Sequence, residues 1–204
     1  MGRIVVFTST TLDGVMQAPG RPDEDRRGGF QHGGWAAPYA DSVIAGLAGE
    51  GMGTTGGLLL GRRTYEDFYA FWPNQADNPF TDVLNNTEKY VASTTLEEPL
   101  AWSHSTLLRG DAADTVAELK AREAKDLVVL GSGALVQSLM RRNLVDEYIV
   151  LIHPLVLGSG RRLFPEGSPF TALRLVDTRT STTGVIIATY QTAEPSESTT
   201  GEGA

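Results

Sequence analysis

Short apolar runs alternate with amphipathic segments along this chain, and several of the runs end at a glycine. Residues 127–130 (Leu-Val-Val-Leu) are aliphatic or β-branched without polar alternation, which is typical of a strand buried on both faces of a mixed or parallel sheet. Gly131 ends the run. Ser132 is a favourable N-cap residue, and segment 134–142 carries apolar residues near helical spacing. The pattern predicts a strand, a glycine turn and a helix.

The same order of strand, glycine and helix occurs earlier in the chain. The apolar run 56–60 ends at Gly61, and Arg62, Arg63 and Thr64 follow it. A helix that starts in this way leaves unpaired backbone N–H groups at the positive end of its dipole, where an anion can bind. Two arginines add charge and a forked donor geometry that suits a phosphate. We therefore predict an anion site at this turn.

The turn from Gly131 to Gly133 leaves two interpretations open. It can hold a phosphate through backbone N–H groups alone, or the two glycines only let the strand and the helix pack closely. The third glycine of the dinucleotide-binding fingerprint is missing. A P-loop is excluded because no Gly-Lys-Ser/Thr follows.

Further patterns predict the remaining elements. Strands are predicted over 3–7, 88–92 and 145–154, and an edge hairpin over 173–177 and 184–191. Helices are predicted over 38–48, 81–86 and 111–121. The order of elements indicates an α/β fold in a single domain over 1–191, and the polar composition of 192–204 predicts a disordered tail.

A long Gly- and Pro-rich segment, residues 17–39, joins the first strand to the first helix. Loops of this length are more often functional lids than simple connectors. Trp35 either closes over a ligand or anchors the loop to the core. Asp41 follows near the start of the helix, where capping alone could account for a carboxylate. His153 has no partner residue in the sequence pattern, which favours a structural role inside a strand.

Composition and charge exclude several functions. The formal net charge of −8 argues against nonspecific binding to nucleic acid or anionic membranes. Without cysteine, the chain cannot form thiolate zinc sites or use a cysteine nucleophile, and its three histidines form no ligand pair at metal spacing, so we predict no metal. No leader or membrane-spanning run is recognisable. We expect a cytoplasmic location.

Seven short motifs follow one another along the chain: Leu12-Asp13-Gly14, Gly61 to Glu66, Ser93-Thr94, Leu130 to Gly133, Val145-Asp146-Glu147, His153-Pro154 and Leu157 to Gly160. Taken in order, these motifs resemble the dihydrofolate reductase-like superfamily, and most closely its branch with the reductase domain of the riboflavin-biosynthesis deaminase/reductase. The resemblance implies an α/β fold with a mixed, mostly parallel eight-stranded sheet flanked by helices, a C-terminal antiparallel hairpin and NADPH across the strand ends.

The resemblance also implies how NADPH is held. The adenosine-side phosphates would be bound by the first glycine turn, with Gly61, Arg62, Arg63 and Thr64, and the 2′-phosphate by Ser93 and Thr94 at a strand end. The pyrophosphate and nicotinamide half would be bound by the second glycine turn, with Gly131, Ser132, Gly133, Ala134 and Leu135. The nicotinamide carboxamide would be oriented by the N-terminal strand near Thr8 and Ser9.

The substrate side departs from the family pattern. Dihydrofolate reductases carry an acidic residue on the first long helix. In this chain Asp41 lies nearest that place, with Glu50 as a less favoured substitute. We expect Asp41 to orient or protonate the substrate, with a pKa raised by burial. Riboflavin-pathway reductase domains use basic residues of that helix for a ribose phosphate, but residues 38–53 contain no Lys, Arg or His. This argues against a phosphorylated pyrimidine substrate. Candidate substrate contacts are Asp13, Trp35 and His153.

The sequence and the resemblance together predict an NADPH-dependent reductase. Hydride would pass to a C=N or C=O bond of a small pterin- or pyrimidine-like heterocycle or a carbonyl compound. A non-catalytic nucleotide-binding module of the same fold remains open, as does a structural protein in which both glycine turns only serve packing. A homodimer is expected from the resemblance, with strand residues 148–152 as a candidate interface.

Overall fold

A computed structural model describes residues 1–75 and 78–193 of the chain, without the side chains of residues 48, 50–54 and 79. The predicted polar tail therefore lies outside the described residues from position 194 onward. Its first residue, Thr192, belongs to the last strand.

Strands and α-helices alternate through most of the described ranges. The strands are β1 Ile4–Thr11, β2 Gly57–Gly61, β3 Lys89–Ala92, β4 Ser105–Leu108, β5 Leu127–Leu130, β6 Glu147–His153, β7 Leu173–Thr180 and β8 Ile186–Thr192. The α-helices are α1 Ser42–Thr54, α2 Arg62–Phe71, α3 Pro79–Asn86, α4 Ala112–Arg122 and α5 Gly133–Met140. Among these described helices, none is long and apolar enough to cross a membrane.

The described strands form one eight-stranded sheet in the order β4-β3-β2-β5-β1-β6-β8-β7. The pairs from β4 to β6 are all parallel, whereas β8 runs antiparallel to both β6 and β7. This confirms the predicted α/β class, with a mixed, mostly parallel sheet and a C-terminal antiparallel hairpin.

The central strands are apolar without alternation because both faces of the sheet are covered. On one face, strand residues such as Val6 and Val129 pack with Val136 of α5 in the main core cluster. On the other face, Leu58 and Leu60 pack with side chains of α2, α3 and the segment before β4. Buried parallel sheets carry this kind of continuous apolar run, so the pattern at 127–130 places β5 correctly.

The carboxyl ends of β1, β2 and β5 lie along one edge of the sheet because the three strands are neighbours and parallel. Phe7 of β1 is in register with Leu130 of β5, and β2 ends at Gly61. Open α/β sheets bind ligands outside this edge. The two glycine turns predicted from the sequence are therefore brought to the same place.

Two features of the sheet bear on the predictions. β4 was not predicted, because its four residues, Ser105 to Leu108, carry neither a clear alternation nor a continuous apolar run. Residues 148–152, the candidate dimer interface, lie in β6 between β1 and β8, and this strand has no free edge. Tyr148, for example, is 1% exposed.

We predict that Tyr65→Phe lowers the free energy of unfolding by about 1–3 kcal/mol, the cost of leaving a buried donor unsatisfied. The buried Tyr65 hydroxyl of α2 accepts a 2.8 Å hydrogen bond from the Trp102 backbone N–H in the second core cluster. Urea unfolding measures the effect, and Tyr69→Phe is the matched control because Tyr69 is a partly exposed ring that stacks on Tyr65. Equal losses in both variants would contradict this account.

We also predict that the expected homodimer uses β7. This strand is outermost in the sheet, and all its residues are exposed, including Leu175 and Val176. Unpaired strand edges favour pairing with a second chain. The double variant Leu175→Lys/Val176→Lys should therefore run as a monomer in light scattering coupled to size exclusion, whereas Val83→Lys on the exposed face of α3 should stay dimeric. A dimeric double variant would place the interface elsewhere, and a monomeric wild type would refute the dimer.

Candidate functional site

A groove of about 1410 Å³ runs along the sheet edge at which β1, β2 and β5 end. One wall is formed by the end of β1, the start of α2 and the turn between β5 and α5. The facing wall is formed by the loop after β1 and the loop after β6. Its lining includes Phe7, Thr8, Ser9, Gly61, Arg62, Arg63, Thr64, Leu130, Gly131, Ser132, Gly133, Ala134 and Leu135 on the first wall, and Gln17, Glu24, Asp25, Arg26, Arg27, Gly160, Arg161 and Arg162 on the second.

The two glycine turns are hydrogen-bonded to each other. The backbone N–H of Gly61 donates to Ser132 Oγ at 3.0 Å, and the N–H of Ser132 donates to Thr64 Oγ1 at 3.2 Å. Gly131 and Ser132 both adopt left-handed backbone conformations, with φ of 55° and 51°. The prediction that the Ser132 side chain caps α5 is wrong, because this hydroxyl is held by Gly61 and makes no capping hydrogen bond.

Both helix starts at this edge lack a side-chain cap. The first N–H groups of an α-helix have no partner within the helix, so α2 and α5 each direct free donors and a positive dipole end toward the groove. Two such ends can hold two phosphates of one ligand. The observed donor set fits a dinucleotide pyrophosphate.

Both predicted arginines, Arg62 and Arg63, line the groove. Arg62 forms an ion pair with Glu66 one turn along α2, at 2.9 Å between Nη1 and Oε2. Arg63 forms no ion pair with any residue that the structure describes. Arg63 is therefore the less compensated of the two charges and the better candidate for a phosphate contact.

The structure brings eleven of the implied cofactor residues to the groove and leaves two outside it. Ser93 and Thr94, the implied contacts to the 2′-phosphate, are not part of its wall. The hydroxyl of Ser93 accepts hydrogen bonds from the N–H groups of Thr95 and Leu96 at 3.1 and 3.0 Å. This is a serine turn that satisfies its own backbone, as such turns commonly do.

Trp35 and His153 pack against each other away from the groove wall. The indole N–H of Trp35 donates to the carbonyl oxygen of Gln17 at 2.7 Å, and its ring meets the His153 ring edge-on at 5.1 Å. Trp35 thus anchors the long loop, which was one of the two interpretations of the sequence. Burial lowers the pKa of His153, whose Nδ1 lies 3.0 Å from the Leu151 carbonyl oxygen. The neutral ring fits a structural position.

Asp13 joins the end of β1 to the loop after β6. Its carboxylate accepts hydrogen bonds from the Thr11 hydroxyl and from the N–H groups of Leu157 and Gly158. The Thr11 hydrogen bond is the main reason that the pKa of Asp13 is lowered to about 2. The side chain connects these two segments and is not part of the groove wall.

Asp41 caps α1 and does not line the groove. Its carboxylate accepts a hydrogen bond from the Ile44 N–H at 2.9 Å and two more from the N–H and hydroxyl of Thr182, at 2.6 and 2.7 Å. These bonds, the one from Ile44 foremost, lower the pKa of Asp41, so the expectation of a pKa raised by burial is wrong. The side chain of Glu50, the substitute candidate, lies outside the described part of the structure.

The loop over residues 17–39 lines part of the groove and contacts α2. The Arg21 guanidinium forms an ion pair with Asp67 and lies 4.3 Å from the centre of the Phe71 ring. Glu24 accepts hydrogen bonds from the N–H groups of Gly20 and Arg21, and burial raises its pKa. The loop therefore covers one side of the groove, and its motion as a lid stays a prediction.

Sequence reasoning missed the arginines of the second wall and the residue that holds them. Gln17 is 4% exposed; its side-chain carbonyl accepts from the Arg161 N–H at 3.0 Å, and its amide donates to the carbonyls of Asp25 and Arg27 at 3.1 and 3.0 Å. A signal was present, since Arg26-Arg27-Gly28 and Gly160-Arg161-Arg162 repeat the pairing of arginines with a glycine turn that identified Gly61-Arg62-Arg63.

Several known proteins are similar to this chain in sequence or in structure. The chain is 30% identical over 138 residues to the uncharacterized protein YyaP of Bacillus subtilis (strain 168), covering 65% of this chain and 72% of that one. A protein from Shewanella sp. PV-4, provisionally named as a riboflavin biosynthesis protein, superposes with a TM-score of 0.68 at 23% identity over 94% of this chain and 99% of that one.

Dihydrofolate reductase from Enterococcus faecalis, complexed with NADP(H), has a TM-score of 0.56 at 14% identity, over 95% of this chain and 98% of that one. At such identities the two solved structures establish the fold, which is that of dihydrofolate reductase. The family model for the RibD C-terminal domain matches residues 3–187. Nearly the whole chain is matched, and the protein belongs to the RibD C-terminal domain family.

Proposed function

We propose that this protein is an NADPH-dependent reductase of small heterocyclic or carbonyl compounds. The observation that carries the proposal is the pair of uncapped helix starts, at α2 and α5, which open on one groove beside Arg62 and Arg63. Two positive helix ends and two arginines suit the phosphates of a dinucleotide. The dihydrofolate reductase of the same fold that was solved with NADP(H) supports this cofactor.

Different residues on the first wall would contact different parts of the cofactor. The N–H groups of Gly133, Ala134 and Leu135 would hold the pyrophosphate, and Arg63 would hold a further phosphate. Thr8 and Ser9, in the second half of β1, also line the groove and would orient the nicotinamide. When bound, the cofactor supplies the hydride, and the protein supplies position and electrostatics.

The substrate would occupy the space between the cofactor and the second wall. This wall carries the carboxyls of Glu24 and Asp25. Burial raises the pKa of Glu24, which favours a protonated acid at higher pH than usual. Glu24 is thus better placed than Asp41 to be tested as the proton donor.

We predict that Arg62→Ala/Arg63→Ala weakens NADPH binding by roughly 10- to 100-fold, the effect of losing charged hydrogen bonds, and weakens NADH binding much less. The arginines would bind the additional phosphate that only NADPH carries. Titration by tryptophan and nicotinamide fluorescence measures both affinities. Arg122→Ala/Lys125→Ala, which removes two exposed cations in and just after α4, makes the same change of net charge and should leave both affinities unchanged.

Three outcomes would alter the proposal. Equal losses for NADPH and NADH would assign the arginines to the phosphates that the two cofactors share. No binding of either cofactor to the wild type would refute the reductase. Binding without consumption against pterins, pyrimidines and ketones would favour a nucleotide-binding module.

We predict that Asp41→Asn leaves turnover and its pH profile unchanged once a substrate is found. Asparagine keeps the capping ability of the side chain, and Asp41 does not line the groove. Glu24→Gln, in contrast, should lower turnover at a retained NADPH affinity. Loss of turnover in Asp41→Asn with intact thermal stability would restore the catalytic role expected from the sequence.

A further inference from the structure

A second cavity of about 340 Å³ opens beside the groove. It is lined by the loop after β1 and by the loop after β6. Four of its residues also line the groove, so the two spaces are adjacent. Neither glycine turn of the first wall contributes to the cavity. The residues of this side pocket are Gln17, Arg27, Gly28, Gly29, Phe30, Ser159, Gly160 and Arg161.

The side pocket is positively charged although the protein is acidic. Arg27 is compensated by Asp25, which accepts a 2.7 Å hydrogen bond from its Nε and forms an ion pair with its guanidinium. The guanidinium of Arg161 makes no hydrogen bond to any residue in the described ranges. Against the effect of burial, Arg27 foremost, and Arg161 in addition, lower the pKa of Asp25, so this one carboxylate acts on both arginines. The three side chains together leave one net positive charge at the pocket.

The walls of the side pocket are fixed in place before any ligand binds. The Gln17 side chain holds the Arg161 backbone to the carbonyls of Asp25 and Arg27. Gly160 has a φ of 120°, and a Cβ at this position would lie 2.7 Å from Val15 and 2.8 Å from the Phe30 ring. Only glycine allows the arginine-bearing loop to pack so closely. Such preorganisation lowers the entropic cost of binding.

We propose that the side pocket is an oxyanion subsite, which takes a carboxylate or a phosphate group of the substrate through Arg161. A free guanidinium presents several donors in a planar fork, which matches the oxygens of either group. The assignment to a substrate rests on the proposed reductase function, whereas the anion site itself rests on the pocket alone. The two loops of the side pocket would hold the oxyanion of the substrate. The start of α1 and the segment before it carry no cation, so they offer no alternative partner for it.

The oxyanion could also belong to the cofactor, and the position of the pocket argues against this source. The cofactor phosphates are assigned to the two glycine turns on the first wall, and no residue of those turns lines the side pocket. A ligand that fills both turns therefore leaves Arg161 available. Binding of an anion alongside NADPH separates the two sources.

The test uses inorganic phosphate as the probe. Phosphorus NMR measures its binding to the protein saturated with NADPH. We expect phosphate to bind the NADPH-bound wild type. Arg161→Ala should weaken this binding about tenfold or more, as expected for loss of a charged hydrogen-bond donor. Arg161→Lys should retain part of it because the charge is kept. Arg122→Ala is the charge-matched control and should bind phosphate as the wild type does.

Three results would overturn the subsite. They are displacement of phosphate by NADPH, equal affinity in Arg161→Ala and the wild type, and no phosphate binding to the wild type. If NADPH itself fails to bind, the same titration is run on Arg62→Ala/Arg63→Ala, with and without Arg161→Ala. Phosphate binding that still depends on Arg161 would then confirm the anion site while the reductase proposal fails.

Discussion

The site depends on the contact between the two helix starts at the ends of β2 and β5. Ser132 accepts from the N–H of Gly61 and donates its own N–H to Thr64, so two positive dipole ends are held side by side. Like dipole ends repel each other at short range, and neither helix is capped by a side chain. A bound anion would relieve both the repulsion and the missing hydrogen bonds. The backbone geometry of these two helix starts therefore suits a phosphate.

The parts of the structure that follow from local sequence were predictable. The apolar run at 127–130 identified the central strand, and glycines at the strand ends identified both turns. The errors at the site concern side chains whose partners are distant in sequence. Ser132 has the sequence position of a helix cap, but its hydroxyl accepts a hydrogen bond from the Gly61 N–H instead. The pKa of Asp41 is lowered partly by Thr182, which lies 141 residues away in the sequence. Local propensity cannot report such contacts, because they exist only after the sheet has formed.

Different parts of the structure bear on the family and on the substrate. The wall that would hold the cofactor consists of strand ends and helix starts, which the sheet positions in any protein of this fold. The wall that would meet the substrate consists of two loops joined through Gln17. Loops vary more than the elements that they connect. Family membership therefore supports a reductase-type fold, while the chemistry of the substrate has to be argued from Arg27, Arg161 and their neighbours.

Gln17 connects its two loops by hydrogen bonds of an uncharged amide that is 4% exposed. Dissolved salt screens interactions between exposed charges over roughly 8–10 Å at ordinary ionic strength, but it has little effect on a buried amide. The shape of the side pocket and the charge inside it should therefore respond differently to ionic strength. Salt would weaken the attraction of Arg161 for an anion while the geometry of the pocket persists, so affinity could vary with the medium without any change in structure.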